Sequence, residues 1–220
     1  MIEFSIAPVF NGYPAAKTNE LLQRSVESLQ ALPGVADVSF TSSPVMTGAE
    51  WFSTVSVDGY RERSNEDMDP LRSTVGPRFF HTLGIPLVAG RDFTFADGAT
   101  TRRVAIVNER FAEYFYKGEN PIGRIIRYGG RDGAPVEIVG VVKNNRHVHP
   151  REEFKRQVWV PFQQDRNLTG VCFYVRASAD PEAVLPAIRK AMRAVDPNLP
   201  LDRVGTMPET LDREIGRAHV

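Results

Sequence analysis

A chain of 220 residues, 42% hydrophobic and 25% charged, holds enough apolar material for one large or two small folded domains. Its 27 basic and 27 acidic side chains cancel, which disfavours a nucleic-acid partner, since such binders carry a basic excess or stripe. The lone Cys172 excludes an internal disulfide framework, and no apolar run reaches the ~20 residues of a membrane helix.

In chain order, Ile2–Val9 alternates with Ile2, Phe4 and Ile6 on one side and predicts a strand. The opening MIEFSIAPVF has no basic start and no apolar core of a signal peptide. After the Asn11-Gly12 turn, Leu22, Val26 and Leu29 recur at helical spacing, so Lys17–Leu32 is expected as a helix stopped by Pro33-Gly34. Val35–Thr41 follows as a strand. Small and turn residues fill 42–50, and a boundary is placed there. Trp51–Tyr60 alternates as a strand, Arg61–Asp69 is a polar loop, and Leu71–Val75 is a short strand. Pro77 suits the first turn of a helix over Arg78–Leu83, which Gly84 ends.

Arg91–Thr101 reads as a loop. Arg103–Val107 is a strand with a continuous apolar run and so central in a sheet. Asn108 is placed to cap a helix at Glu109–Tyr116, with Phe111, Ala112 and Phe115 on one face. Arg124–Tyr128 and Val136–Val142 form a hairpin, in which Gly140 marks a bulge or a close backbone approach. Val158–Val160 and Gly170–Ala177 are strands. Asp180-Pro181 opens the clearest helix, Pro181–Val195. Leu199–Val204 is a strand, and Thr206 with Glu209 forms a capping box for a last helix carrying Leu211 and Ile215. That helix has no Gly or Pro stop behind it, and both ends of the chain read as cuts in a longer one.

The two ends repeat one pattern of strand, helix, turn and strand. The expected fold is α+β: a discontinuous ferredoxin-like βαβ–βαβ domain from residues 1–44 and 169–220, with an inserted smaller α+β domain at 45–168.

The residues carry little catalytic signal. His147 and His149, at i and i+2 with Glu152 and Glu153 nearby, are the most tempting metal ligands. Pro150 breaks the segment and no zinc spacing is present, so a solvated loop is the favoured reading. A metal-dependent hydrolase built on that pair stays open as an alternative. His81 reads as a structural histidine, Cys172 as an inert thiol, and Arg91, Asp92 and Asp97 as turn caps. No phosphate-binding loop is found, so no ATPase activity is expected. Lys143, Arg146, Arg151, Lys155 and Arg156 form a basic segment diluted by Glu152 and Glu153, with Phe154 alone for stacking. Catalytic, cofactor-binding and metal residues are therefore all expected to be none.

The runs VGPRFFHTLGIPLVAGRDFT, VAIVNERFAEYF, GENPIG and VEIVGVV occur in that order. Together with FSIAPVFNGY and LQALPGVADVSF in front and DPEAVLPAIRKAMRAVDPNLPLDRVGTMPETLD behind, they resemble the extracytoplasmic core domain of MacB/FtsX-type permeases. The similarity is nearest to the large orphan permeases of acidobacteria. Arg78-Phe79 departs from it, standing where that family has Gly-Tyr.

The resemblance implies a non-catalytic domain on the periplasmic side of the cytoplasmic membrane, hung between the permease's own transmembrane helices. It also implies a cognate cytoplasmic ATPase, a periplasmic adaptor and a homodimer in the full-length protein, with no nucleic acid. The alternative is a stand-alone small-molecule-binding or regulatory module.

Overall fold

The computed structural model describes residues 1–165, 168–178, 180–209 and 212. Its strands are β1 (Ile2–Ile6), β2 (Val35–Thr41), β3 (Val55–Val57), β4 (Leu71–Val75), β5 (Leu87–Gly90), β6 (Val104–Asn108), β7 (Ile125–Tyr128), β8 (Pro135–Val142), β9 (Gln157–Pro161), β10 (Val171–Ala177) and β11 (Asp202–Thr206). The helices are α1 (Ala15–Gln30), α2 (Phe79–Leu83), α3 (Glu109–Tyr116) and α4 (Pro181–Val195). The architecture is α+β, with one mixed sheet in the order β11-β1-β10-β2-β4-β9-β6-β8-β7-β3 and β5 added on β8.

The strands from the two ends, β11-β1-β10-β2, are antiparallel neighbours. They join the central strands through a single pair, Thr41 opposite Val75. Beyond it β4 runs parallel to β9, and β6 parallel to β8.

Side chains alternate across a sheet, and the cores divide accordingly. On one face Phe4, Phe40 and Phe173 meet Leu22 and Leu29 of α1 and Ile188 and Met192 of α4. Each such side chain, fully buried, is worth roughly 1.5–3 kcal/mol over its exposed state. Ala105, Val107 and Ile138 of the central strands meet Phe111 and Phe115 of α3 in a second cluster. The opposite face carries a third, in which Phe79 and Phe80 of α2 meet Cys172 and Tyr174 of β10 and Ile106 and Trp159 of the central strands. Helix α2 packs on β2 and β10, although it belongs to the central stretch of sequence. Its aromatic rings lock edge to face: Phe80 on Trp159 at 5.1 Å and Phe79 on Tyr174 at 6.4 Å.

Several expectations shift in detail. The strand expected over Trp51–Tyr60 shrinks to Val55–Val57, because Trp51 and Phe52 turn to solvent and only a lone Phe52–Leu71 bridge remains. The last strand lies at Asp202–Thr206, beginning three residues later than its pattern suggested; Leu199, which began that pattern, is instead buried against the terminal core. Strand β5 had no counterpart in the sequence reading. Asn108 caps α3 as expected, its Oδ1 accepting from the N–H of Phe111 at 3.0 Å. The same oxygen accepts from Gln157, and the side-chain amide donates to the Lys155 carbonyl at 2.8 Å, so this buried side chain also ties α3 to β9. Gly140 does both things asked of it: the β6–β8 register slips there, and a Cβ would sit 2.5 Å from the Arg91 carbonyl oxygen. The Thr206 N–H donates to Glu209 at 2.7 Å, half of the expected capping box; Leu211 and Ile215 lie outside the described residues.

Candidate functional site

The stretch between β8 and β9 is not the solvated loop that its polarity suggests. Glu152 folds back and accepts the backbone N–H groups of His147 and Val148, and this turn drives His147 inward. The imidazole is only 4% exposed. Its Nε2 shares a 3.0 Å hydrogen bond with Ser43 Oγ, and that hydroxyl also reaches the Ala49 carbonyl at 3.5 Å. The Met46 N–H donates to the His147 carbonyl at 2.6 Å. His149 and Glu153 stay exposed, so the structure separates the histidines that the sequence set side by side. Among the described residues no group of three or more His, Cys, Asp or Glu could hold a metal ion.

A serine–histidine pair is the beginning of nucleophilic chemistry. Here Ser43 is 1% exposed, so no substrate reaches its hydroxyl. The pair is a peg fastening residues 42–50 to the 144–152 turn. Burial pushes the His147 pKa below its ordinary 6.5, against an opposing pull from Glu152. The unfolded chain then takes the proton first, so the stability that the neutral ring contributes is present above about pH 6.5 and drains away as pH falls through the folded value. Urea midpoints at pH 7.5 and 5.5 should therefore differ more for the native chain than for His147→Gln.

A second polar junction lay hidden in the sequence. Asp37 on β2 is 1% exposed and accepts from Arg78 Nε at 2.9 Å and Nη2 at 3.1 Å; His81 Nδ1 meets the same carboxylate. Burial raises the Asp37 pKa, but the hydrogen bonds from Arg78 and His81 outweigh it and the net shift is downward. Arg176 donates to the Thr82 carbonyl at 2.9 and 2.7 Å, pinning the last turn of α2 to β10. Arg78 holds φ 61°, in the left-handed region, at roughly 1–2 kcal/mol of backbone strain. The one available signal was a charged residue inside a strand otherwise destined for the core.

Among the other candidates, Arg91 grips Asp97 at 2.7 and 2.8 Å, while Asp97 and Asp92 accept the N–H groups of Thr94 and Phe93, so all three residues shape a turn. The basic segment is spread over separate carboxylates: Lys143 on Glu109, Lys155 on Glu50 and Glu152, and Arg156 on Asp67. Cys172 is buried, and burial lifts its thiol to about 12. An aromatic disulfide reagent should leave the folded chain unlabelled at pH 8 and label it fully in urea; prompt labelling of native protein would contradict this burial.

At the join of the terminal and central strands a groove of about 380 Å³ runs between Trp51 and Phe52 on one side and Thr169 and Gly170 on the other, with Arg72 and Asp165 in it. Trp51 is 69% and Phe52 52% exposed. The groove and the two buried junctions all lie where the terminal strands meet the central ones. They hold segments together or face solvent, and none brings together a nucleophile, a base and access for substrate.

The MacB-like periplasmic core domain model matches residues 4–195. The chain belongs to this family. It is accordingly a periplasmic domain of a MacB-like ABC-transporter permease, on the outer side of the inner membrane. Over 136 residues the MacB-like chain is 26% identical to the macrolide export ATP-binding/permease protein MacB of Burkholderia pseudomallei, covering 58% of this chain and 20% of that one. Over 88 residues it is 31% identical to MacB 1 of Aeromonas hydrophila, covering 40% and 13%. The chain thus spans a minor part of the curated relatives that it matches.

Its fold is similar to the periplasmic region of MacB from Actinobacillus actinomycetemcomitans, with a TM-score of 0.56 at 12% identity over 98% of this chain and 92% of that one. It is likewise similar to the extracellular domain of the noncanonic ABC-type transporter YknZ from Gram-positive bacteria, at a TM-score of 0.54 and 19% identity over 90% and 94%. No helix among the described residues is long and apolar enough to cross a membrane.

Proposed function

We propose that this MacB-like domain is a non-catalytic coupling element, which carries the movement of the permease's transmembrane helices to substrate or partner outside the membrane. The observation that carries this reading is the pairing of β1 with β11. Ile2 lies opposite Thr206, and the Met207 N–H donates to the Met1 carbonyl at 3.0 Å, so the start of β1 and the end of β11 sit side by side. A helix before Met1 and another after Val220 would then act on two adjacent strands. The strand order β11-β1-β10-β2, with α1 packed on α4, supports a ferredoxin-like unit from 1–44 and 169–220 carrying 45–168 as its insertion. The apolar layer under α2 draws on both stretches, so displacement of the terminal strands would reach the central ones.

In this reading the partners are the permease's own membrane helices, a cytoplasmic ATPase, a second copy and an adaptor. The test replaces residues 2–206 by a flexible linker in the full-length transporter. Transport should be lost while the ATPase subunit still hydrolyses ATP. Transport at the native rate without the domain would reject the coupling role.

A further inference from the structure

We infer that the groove between Trp51–Phe52 and Thr169–Gly170 is a binding site for a flat aromatic molecule bearing one anionic group. Its occupant is chosen by size, surface and charge.

The volume, about 380 Å³, falls in the range of roughly 300–1,000 Å³ common to small-molecule pockets. A docked helix, about 10–12 Å across, would need far more room. The surface is aromatic: Trp51 and Phe52 stand 69% and 52% exposed beside it, although large apolar side chains are ordinarily buried. Both flank the polar bonds that hold the loop in place. The Trp51 carbonyl accepts from the Arg72 N–H at 2.7 Å, and the Ser53 N–H donates to the Pro70 carbonyl at 3.2 Å. The aromatic wall is therefore anchored, and an occupant would meet it already formed.

The charge is asymmetric. Arg72 and Asp165 are ion-paired at 3.2 Å, but the Arg72 side chain is 30% exposed and that of Asp165 only 11%. The accessible member of the pair is the cation, and a guanidinium has five N–H donors. Its Cζ also lies over the Tyr128 ring, 5.4 Å from the centroid. Aromatic walls beside a held guanidinium suit a planar ring system with a carboxylate or sulfonate. One wall belongs to the central stretch and the other precedes β10, so an occupant would bridge them.

The site stands apart from the coupling role, because binding is read on the 220-residue chain alone. The probe is 1-anilinonaphthalene-8-sulfonate, titrated by its own fluorescence and by energy transfer from tryptophan. N-phenyl-1-naphthylamine serves as the uncharged analogue. Saturable one-site binding is expected, about tenfold weaker in Trp51→Ala and at least severalfold weaker for the uncharged analogue. Thr169→Trp, a substitution at an exposed position that fills the groove, should abolish binding. Emission from the buried Trp159 reports that each variant is folded. Phe10→Ala is the control, since Phe10 is 81% exposed but lies outside the groove lining. Binding that fails to saturate, survives Thr169→Trp, or falls equally in Phe10→Ala and Trp51→Ala would overturn the assignment. So would equal affinity for the two dyes, as regards the anionic group.

Discussion

Phe173→Ala will lower the stability of this domain by about 3–5 kcal/mol, the range for truncating a fully buried aromatic ring. Phe173 is wholly buried at the centre of three strands: it lies opposite Phe4 of β1 and Phe40 of β2. It stacks on Phe4 at 5.0 Å with the rings 5° apart, and leans on Phe40 at 5.2 Å. Both strands that flank β10 come from the far end of the chain, so no local rearrangement fills the hole. Since domains are stable by only about 5–15 kcal/mol, the loss should appear as a large fall in urea midpoint with little change in slope. Phe10→Ala, by contrast, should move stability by no more than about 0.5 kcal/mol. Equal midpoints for Phe173→Ala and the native chain would show that the three-strand aromatic stack is not the centre of the terminal core.

Gly90→Ala should cost about 2–5 kcal/mol, by a different route. Gly90 ends β5 at φ +76°, where an L side chain adds roughly 1–2 kcal/mol of backbone strain. Its Cβ would also overlap the Val139 carbonyl oxygen and lie 2.9 Å from Ile122 Cδ1, which adds about 1–3 kcal/mol of overpacking. That carbonyl accepts from the Arg91 N–H at 2.9 Å, so the added methyl contests a hydrogen bond as well as space. Hydrogen exchange at the Arg91 amide should therefore quicken ahead of global unfolding. Gly98→Ala is the matched control: nothing lies within 4 Å of its Cβ and its φ is not positive, so it should be near neutral. Indistinguishable stabilities for the two variants would remove the case for strain at the end of β5.

What the sequence made legible, and what it hid, divides along physical lines. Helix α4 and strands β2 and β4 stand within the residues expected, because their caps and alternation are local properties. Helix α3 likewise follows from Asn108 and its aromatic face. Strand β5 escaped notice because Leu87–Gly90 is short, partly exposed and paired on one side only. Trp51 and Phe52 misled in the opposite sense: their alternation resembles that of a buried strand, yet both rings stand in solvent beside the groove. His147 was misjudged because burial there depends on Ser43 and Ala49, roughly a hundred residues away. The Asp37–Arg78 junction was illegible for the same reason, since no local pattern announces that α2 of the central stretch will lie on β2.

The edge pairing of β11 along β1 sets how this body answers a pull. Ile2 and Thr206 share one end of an antiparallel ladder, and β11 has no other neighbour in the sheet among the described residues. Tension drawn between the two chain ends would load those backbone bonds one after another, as a zip opens, rather than all together in shear. The first rung to yield is the one joining Met1 and Met207, so the domain gives softly at that edge while Phe4, Phe40 and Phe173 stay packed.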